Sequence, residues 1–134
     1  MKVKDVLSYK GSKVYRTTAN TTLLAAIDSL NYYSIGALLV MDGSHLKGIV
    51  TERDILKALS KSKDGIIKLK VSDIMTTSLI TCHANDSIES VMEKMTYNHI
   101  RHLPVFESEN LIGIVSIGDM VHAIMYAKEK RRRK

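Results

Sequence analysis

A chain of 134 residues with a 45% apolar share and a single cysteine has the material for a packed core and excludes an internal disulfide framework. Its net charge of +6 is local: Lys128 to Lys134 holds six basic residues and one acid, so the body is near neutral and the isoelectric point is no argument for nucleic acid. No apolar run approaches the roughly 20 residues that cross a bilayer, and the opening MKVKDVLSYKGSK lacks the apolar stretch of a secretory leader; a cytoplasmic setting is expected, or a matrix after loss of a transit peptide.

The leader VKDVL (3–7) comes first, and Val14-Tyr15-Arg16 reads as a short extended piece. Thr22 then stands where a side chain caps a helix, and Leu23, Ala26, Ile27 and Leu30 follow helical spacing. Two strands, Ala37 to Met41 and Leu46 to Val50, flank the hairpin residues Asp42-Gly43-Ser44-His45. A second helix starts at Thr51 and is expected to bury Ile55, Leu56 and Leu59. After a lysine-rich connector with an apolar patch at Ile66-Ile67, the order returns. Leader VSDIM (71–75), an extended Leu79-Ile80-Thr81 and a helix capped by Ser87 with Ile88, Val91, Met92 and Met95 inward lead to two more strands. These run His102 to Phe106 and Leu111 to Val115, and a helix from Ser116 with Met120, Val121 and Ile124 follows.

The chain is therefore an internal repeat. A shift of 65 residues lays Ala19–Leu59 on Ala84–Ile124 without a gap, while the leaders match at a shift of 68. Three extra residues thus lie near Tyr9-Lys10-Gly11-Ser12 in the first copy. The expected organisation is a first repeat over 1–60, a linker over 61–70, a second repeat over 71–127 and a basic tail over 128–134. The expected class is α/β (α+β): two β-α-β-β-α units packed about a pseudo-twofold axis. Gly48 and Gly113, inside strands, mark a close approach by another group.

The repeated phrases GIVTERD (48–54) and GIVSIGD (113–119) keep a hydroxyl three places before a carboxylate. Thr51 with Asp54, and Ser116 with Asp119, fit a helix capping box. The same geometry suits a ligand. A helix N-terminus offers N–H groups to phosphate, and a carboxylate one turn in can accept both hydroxyls of a ribose. These phrases resemble the G-h-h-[ST]-x-x-D signature (h apolar) of cystathionine-β-synthase (CBS) domains. VSDIMTTSLITCHANDSI resembles the opening of a second CBS repeat, and HIRHLPVFE (99–107) its R-x-L-P-V-h-[DE] strand. The resemblance runs from about Val3 to Met125. It implies a paired, adenine-nucleotide-binding Bateman module, with Asp54 and Asp119 on the ribose and Thr51 and Ser116 at the hydroxyl position. It implies Ile49 and Ile114 beside the base, and Thr17, Thr18, Ile80, Thr81 and Cys82 in the entry segments. His102, Leu103 and Pro104 border the second pocket. Arg53 and Arg101 are candidate phosphate partners. The first copy has Gly36-Ala-Leu-Leu39 where the second has Arg101-His-Leu-Pro104, so its pocket departs from the pattern.

Other features read as packing. His99 and His102, taken as one strand, would point to opposite faces, so no metal is expected. Cys82 reads as a pocket-edge or core thiol, the methionines at 92, 95, 120 and 125 as core or dimer packing, and Tyr32 and Tyr97 as packed helix ends. The tail reads first as a solvated, frayed end. Attraction to nucleic acid or anionic lipid comes second and to an acidic partner third, and a base-stacking role lacks support because no aromatics interleave the tail. No catalytic set and no required cofactor are expected. The expected function is a stand-alone module, homodimeric, that binds AMP, ADP or ATP, with NAD behind them, and regulates a protein in trans. The alternatives are a ligand-free dimerisation scaffold or a nucleic-acid or membrane accessory using the tail.

Overall fold

The computed structural model of the chain describes residues 1–62 and 65–133; Lys63 and Asp64 of the connector and Lys134 of the tail lie outside the described residues. Both leaders are helices, α1 (Val3–Lys10) and α4 (Val71–Ile74), an assignment that their short apolar pattern does not make by itself. The local cause is an acid in the first turn. Asp5 Oδ2 accepts from the Lys2 N–H and Asp73 Oδ2 from the Lys70 N–H, both at 2.8 Å, which favours a helix start.

The compact units do not follow the repeat boundaries. One unit comprises residues 1–13 with the chain from Ile80 onward; the other comprises residues 14–79. Each leader has thus joined the body of the other copy. In unit one, Val3 N–H donates to Asp86 O (2.9 Å) and Lys4 N–H to Ala84 O (2.9 Å). In unit two, Val71 N–H donates to Thr21 O (2.9 Å) and Ser72 N–H to Ala19 O (3.0 Å). The orphan donors of each leader helix are satisfied by the same turn, the one before the first helix of the other repeat.

Unit two holds a sheet in the order β1 (Arg16–Thr17), β2 (Ala37–Asp42), β3 (His45–Thr51). Around it lie α2 (Leu23–Tyr33), α3 (Glu52–Lys61), a 3-10 turn at Ile66–Lys68, and α4. Unit one repeats this with β4 (Cys82–His83), β5 (His102–Glu107), β6 (Asn110–Ser116), α5 (Ile88–Asn98), α6 (Ile117–Arg132) and α1. In each sheet the first pair is parallel and the second antiparallel. Each carries a register shift at one point, Val40/Met41 or Val105/Phe106. Thr22 and Ser87 cap α2 and α5 as expected, accepting from Ala25 N–H and Ser90 N–H. The hairpins are tighter than the sequence suggested. Asp42 pairs with His45 and Glu107 with Asn110, leaving two-residue turns that begin at positive φ, 61° at Gly43 and 55° at Ser108.

Val3, Val6, Leu103, Val105, Val115 and Met120 are fully buried in unit one; Leu23, Val40, Val50 and Val71 are fully buried in unit two. The leaders therefore complete hydrophobic cores, which is why they dock. Several expectations of burial are corrected. Of the α3 trio only Ile55 is inside, with Leu56 and Leu59 exposed, and on α6 Val121 and Met125 are exposed. Tyr32 and Tyr97 are 81% and 86% exposed, because both fall on the outer face of the last turn of their helices. His99 is not on a strand at all: it caps α5 at φ 56°, so the two-face argument does not apply to it. The basic segment is not frayed through Arg132, since α6 continues to that residue and Glu129 pairs with exposed Arg132 and Arg133.

Both strand glycines meet a leader. A Cβ on Gly48 would lie 2.8 Å from the Thr76 carbonyl oxygen, and one on Gly113 would lie 2.9 Å from the Leu7 Cδ2 atom. A leucine terminus can turn aside, whereas a hydrogen-bonded main-chain carbonyl cannot without losing its bond. Gly48→Ala is therefore expected to lower stability by about 2 kcal/mol, and Gly113→Ala by about 1. Urea midpoints of the two variants measure this, and equal midpoints would show that the two approaches are equally pliable.

Candidate functional site

Both hydroxyl–carboxylate pairs sit at a junction where a strand runs directly into a helix, β3 into α3 and β6 into α6. The capping box is made in each. Asp54 N–H donates to Thr51 Oγ1 (3.3 Å) while Thr51 N–H donates to Asp54 Oδ2 (2.9 Å). Asp119 N–H donates to Ser116 Oγ (3.0 Å) while Ser116 N–H donates to Asp119 Oδ2 (2.8 Å). Thr51 Oγ1 also lies 3.0 Å from Asp54 Oδ2. One oxygen of each carboxylate is thus committed to holding its own helix start.

Beyond the cap, the two carboxylates have different company. In unit two, Thr76 Oγ1 donates to Asp54 Oδ1 (3.2 Å). The Thr76 backbone also forms an antiparallel bridge with Ile49, N–H to carbonyl in both directions at 3.0 and 2.9 Å. In unit one, Lys10 Nζ donates to Asp119 Oδ2 at 2.8 Å and to the Ile114 carbonyl at 2.7 Å. One cation therefore meets the same carboxylate and strand backbone that a neutral segment meets in the other unit, but Lys10 shares the cap oxygen Oδ2 of Asp119 while Thr76 takes the other oxygen, Oδ1, of Asp54. Burial raises the Asp119 pKa, but the Lys10 hydrogen bond and charge, with the Ser116 amide and hydroxyl, outweigh it and hold the carboxyl below its ordinary value. Asp119 is accordingly ionised at neutral pH.

Sheet register places further candidates. His102 pairs with Ser116 and Pro104 with Ile114 in unit one; Leu39 pairs with Ile49 and Ala37 with Thr51 in unit two. Leu39 N–H donates to the Tyr15 carbonyl at 3.0 Å. At the matching place Pro104 has no N–H, so the Ile80 carbonyl cannot receive that bond. Pro104 and Leu103 are buried, and Arg53 and Arg101 are exposed. Thr17 lies in β1 opposite Val40, and Thr18 lines a 540 Å³ cavity with Met41, Lys47, Met75 and Thr77. Thr81 is half-buried; its carbonyl accepts from Lys94 Nζ at 3.0 Å.

Cys82 is buried in the core of unit one, opposite Val105. Burial above all, with the Asp86 charge adding and Lys94 subtracting, pushes its thiol up to about 12. It is a protonated core group and a poor nucleophile at neutral pH. Among the described residues no cluster of three or more His, Cys, Asp or Glu side chains could hold a metal ion. Among them, too, no helix is long and apolar enough to cross a membrane.

Lys10 and Thr76 were missed by sequence reasoning. The one signal was the three-residue surplus in the first leader. It lengthens α1 to eight residues against four in α4, and that extra turn delivers Lys10.

The sequence profile of the CBS domain matches residues 3–61 and 71–126. The chain is 35% identical to the CBS domain-containing protein CBSX3, mitochondrial, of Arabidopsis thaliana, over 92% of this chain and 65% of that protein, so it spans just under two thirds of that relative. The CBS-domain containing protein ATU1752 from Agrobacterium tumefaciens superposes with a TM-score of 0.89 at 37% identity, covering 92% of this chain and 98% of that one. The CBS domain pair of protein MJ0100, solved in complex with 5′-methylthioadenosine and S-adenosyl-L-methionine, superposes with a TM-score of 0.82 at 28% identity, covering 95% of this chain and 98% of that one.

Proposed function

The chain belongs to the CBS-domain family, and from that premise we propose that it is a regulatory module that binds an adenosine-containing ligand and passes its occupancy to another protein. AMP, ADP and ATP lead as ligands, with NAD behind them. The observation that carries this reading is the twice-built junction in which a capped aspartate keeps a hydroxyl or ammonium donor as company. Thr76 Oγ1 on Asp54 is the contact that a ribose hydroxyl would make.

In unit one the ribose would take Asp119, the base would lie against Ile114 and Pro104, and its amino group would give the Ile80 carbonyl a donor. Ser116 and His102, paired across the sheet, flank the same end. Exposed Arg101 would meet phosphate, and Arg53 is its candidate counterpart on α3. A relative at 28% identity solved with two adenosine compounds supports the ligand class. Occupancy would act by population shift, favouring whichever arrangement binds the ligand better. No chemistry on the ligand is proposed.

Mass spectrometry of small molecules released on denaturing the purified protein, followed by calorimetric titration with AMP, ATP and NAD, tests the reading. An adenosine compound released or bound supports it; silence at millimolar ligand favours an empty scaffold.

The homodimer is proposed on the apolar groups each unit leaves outside: Leu56 at 66% exposure on α3, and Met125 at 65% on α6 with Val121 beside it. Exposed apolar groups at matching helices of both repeats suit a self-complementary interface. Light scattering is expected to return twice the chain mass, and Leu56→Asp with Val121→Asp to return the monomer. A monomeric wild type would remove this part of the proposal.

A further inference from the structure

We infer that Lys10 makes the site in unit one selective for a phosphorylated nucleoside over a neutral one. The inference rests on the reading of Asp119 as the sugar-binding group. The lysine ammonium lies on both groups that the ligand would need, 2.8 Å from Asp119 Oδ2 and 2.7 Å from the Ile114 carbonyl. Both side chains of the pair are about three-quarters buried, with 26% and 25% exposure. The backbone beneath is fixed. α1 stops at Gly11, whose φ is 92° and whose N–H donates to the Leu7 carbonyl, and the Tyr9 ring packs edge-on against Tyr126 on α6. The four-carbon stem of Lys10 is thus the part that moves.

A ribose arriving at Asp119 brings two hydroxyl donors and displaces the ammonium. Hydroxyls satisfy the carboxylate but leave the partly buried cation without its anion, which is costly. A ligand with a phosphate supplies a new anion, and a lysine on a flexible stem can swing to meet it. Adenosine and methylthioadenosine have none to offer. Unit two imposes no such condition at the matching point, because Thr76 places a neutral hydroxyl there.

Calorimetric titration of the full chain with AMP and with adenosine tests this, in an Asp54→Asn background that weakens unit two. AMP is expected to bind at least about tenfold more tightly than adenosine. Lys10→Met is expected to bring the ratio below about threefold, AMP losing its cation and adenosine losing its competitor. Lys10→Gln should behave the same way, and Lys10→Arg should restore the preference. Adenosine matching AMP in the charged protein, or a ratio untouched by Lys10→Met and Lys10→Gln, overturns the role of Lys10 while leaving the adenosine reading intact. Binding of neither compound to any variant overturns the reading of Asp119 and this inference with it.

Discussion

Val6→Asp is expected to unfold the half of the protein that carries the second repeat. Val6 is fully buried, among Val3, Leu103, Val105, Val115 and Met120. A carboxylate there must either shed its charge or open the core. The cost is several kcal/mol, a large part of the roughly 5–15 kcal/mol that holds an ordinary domain together. Where the damage falls is the informative part. Although Val6 is written at the head of the first repeat, amide exchange should accelerate first in α5, β5 and β6, and later in β2 and β3. Loss of protection beginning in β2 and β3 would mean that the leaders serve their own repeats.

Asp119→Ala is expected to weaken adenosine-ligand binding by about a hundredfold, and Asp54→Ala by about tenfold or less. Truncating a carboxylate that accepts hydrogen bonds from a bound diol loses charge-assisted bonds worth about 1.5–3 kcal/mol. The ranking is expected from what would have to move to admit a ligand. In unit one a single lysine side chain would have to leave. In unit two the Ile49 amide and carbonyl are both bonded to Thr76, and admission requires breaking that bridge. Calorimetry on both variants measures the ranking, and equal losses would show that the bridge opens as readily as the lysine swings. Each variant also loses the carboxylate's bond to its own helix start, about 1 kcal/mol of stability. Lower melting temperatures in both are therefore expected and do not bear on the ranking.

The repeat, the strand pairs, the caps at Thr22, Ser87, Thr51 and Ser116, and the two close-approach glycines were all legible along the chain. Each depends on neighbours within a few residues, or on two copies agreeing. The pairing of leaders with bodies was not legible. VKDVL and VSDIM present nearly the same apolar side chains, so composition gives neither a preference for its own repeat; that choice follows from which core each helix can reach and fill. Exposure at Tyr32, Tyr97, Leu56 and Leu59 was likewise invisible, since helical spacing marks a face as apolar without showing whether anything covers it.

By itself the sequence determined that this protein is a doubled unit with a capped aspartate at the start of each second helix, because repetition and capping are properties of order along the chain. Only the tertiary structure decided what those aspartates face. Lys10 lies 109 positions from Asp119 in sequence and 2.8 Å away in space, brought there by an extra helical turn and a core that draws the first leader onto the second repeat.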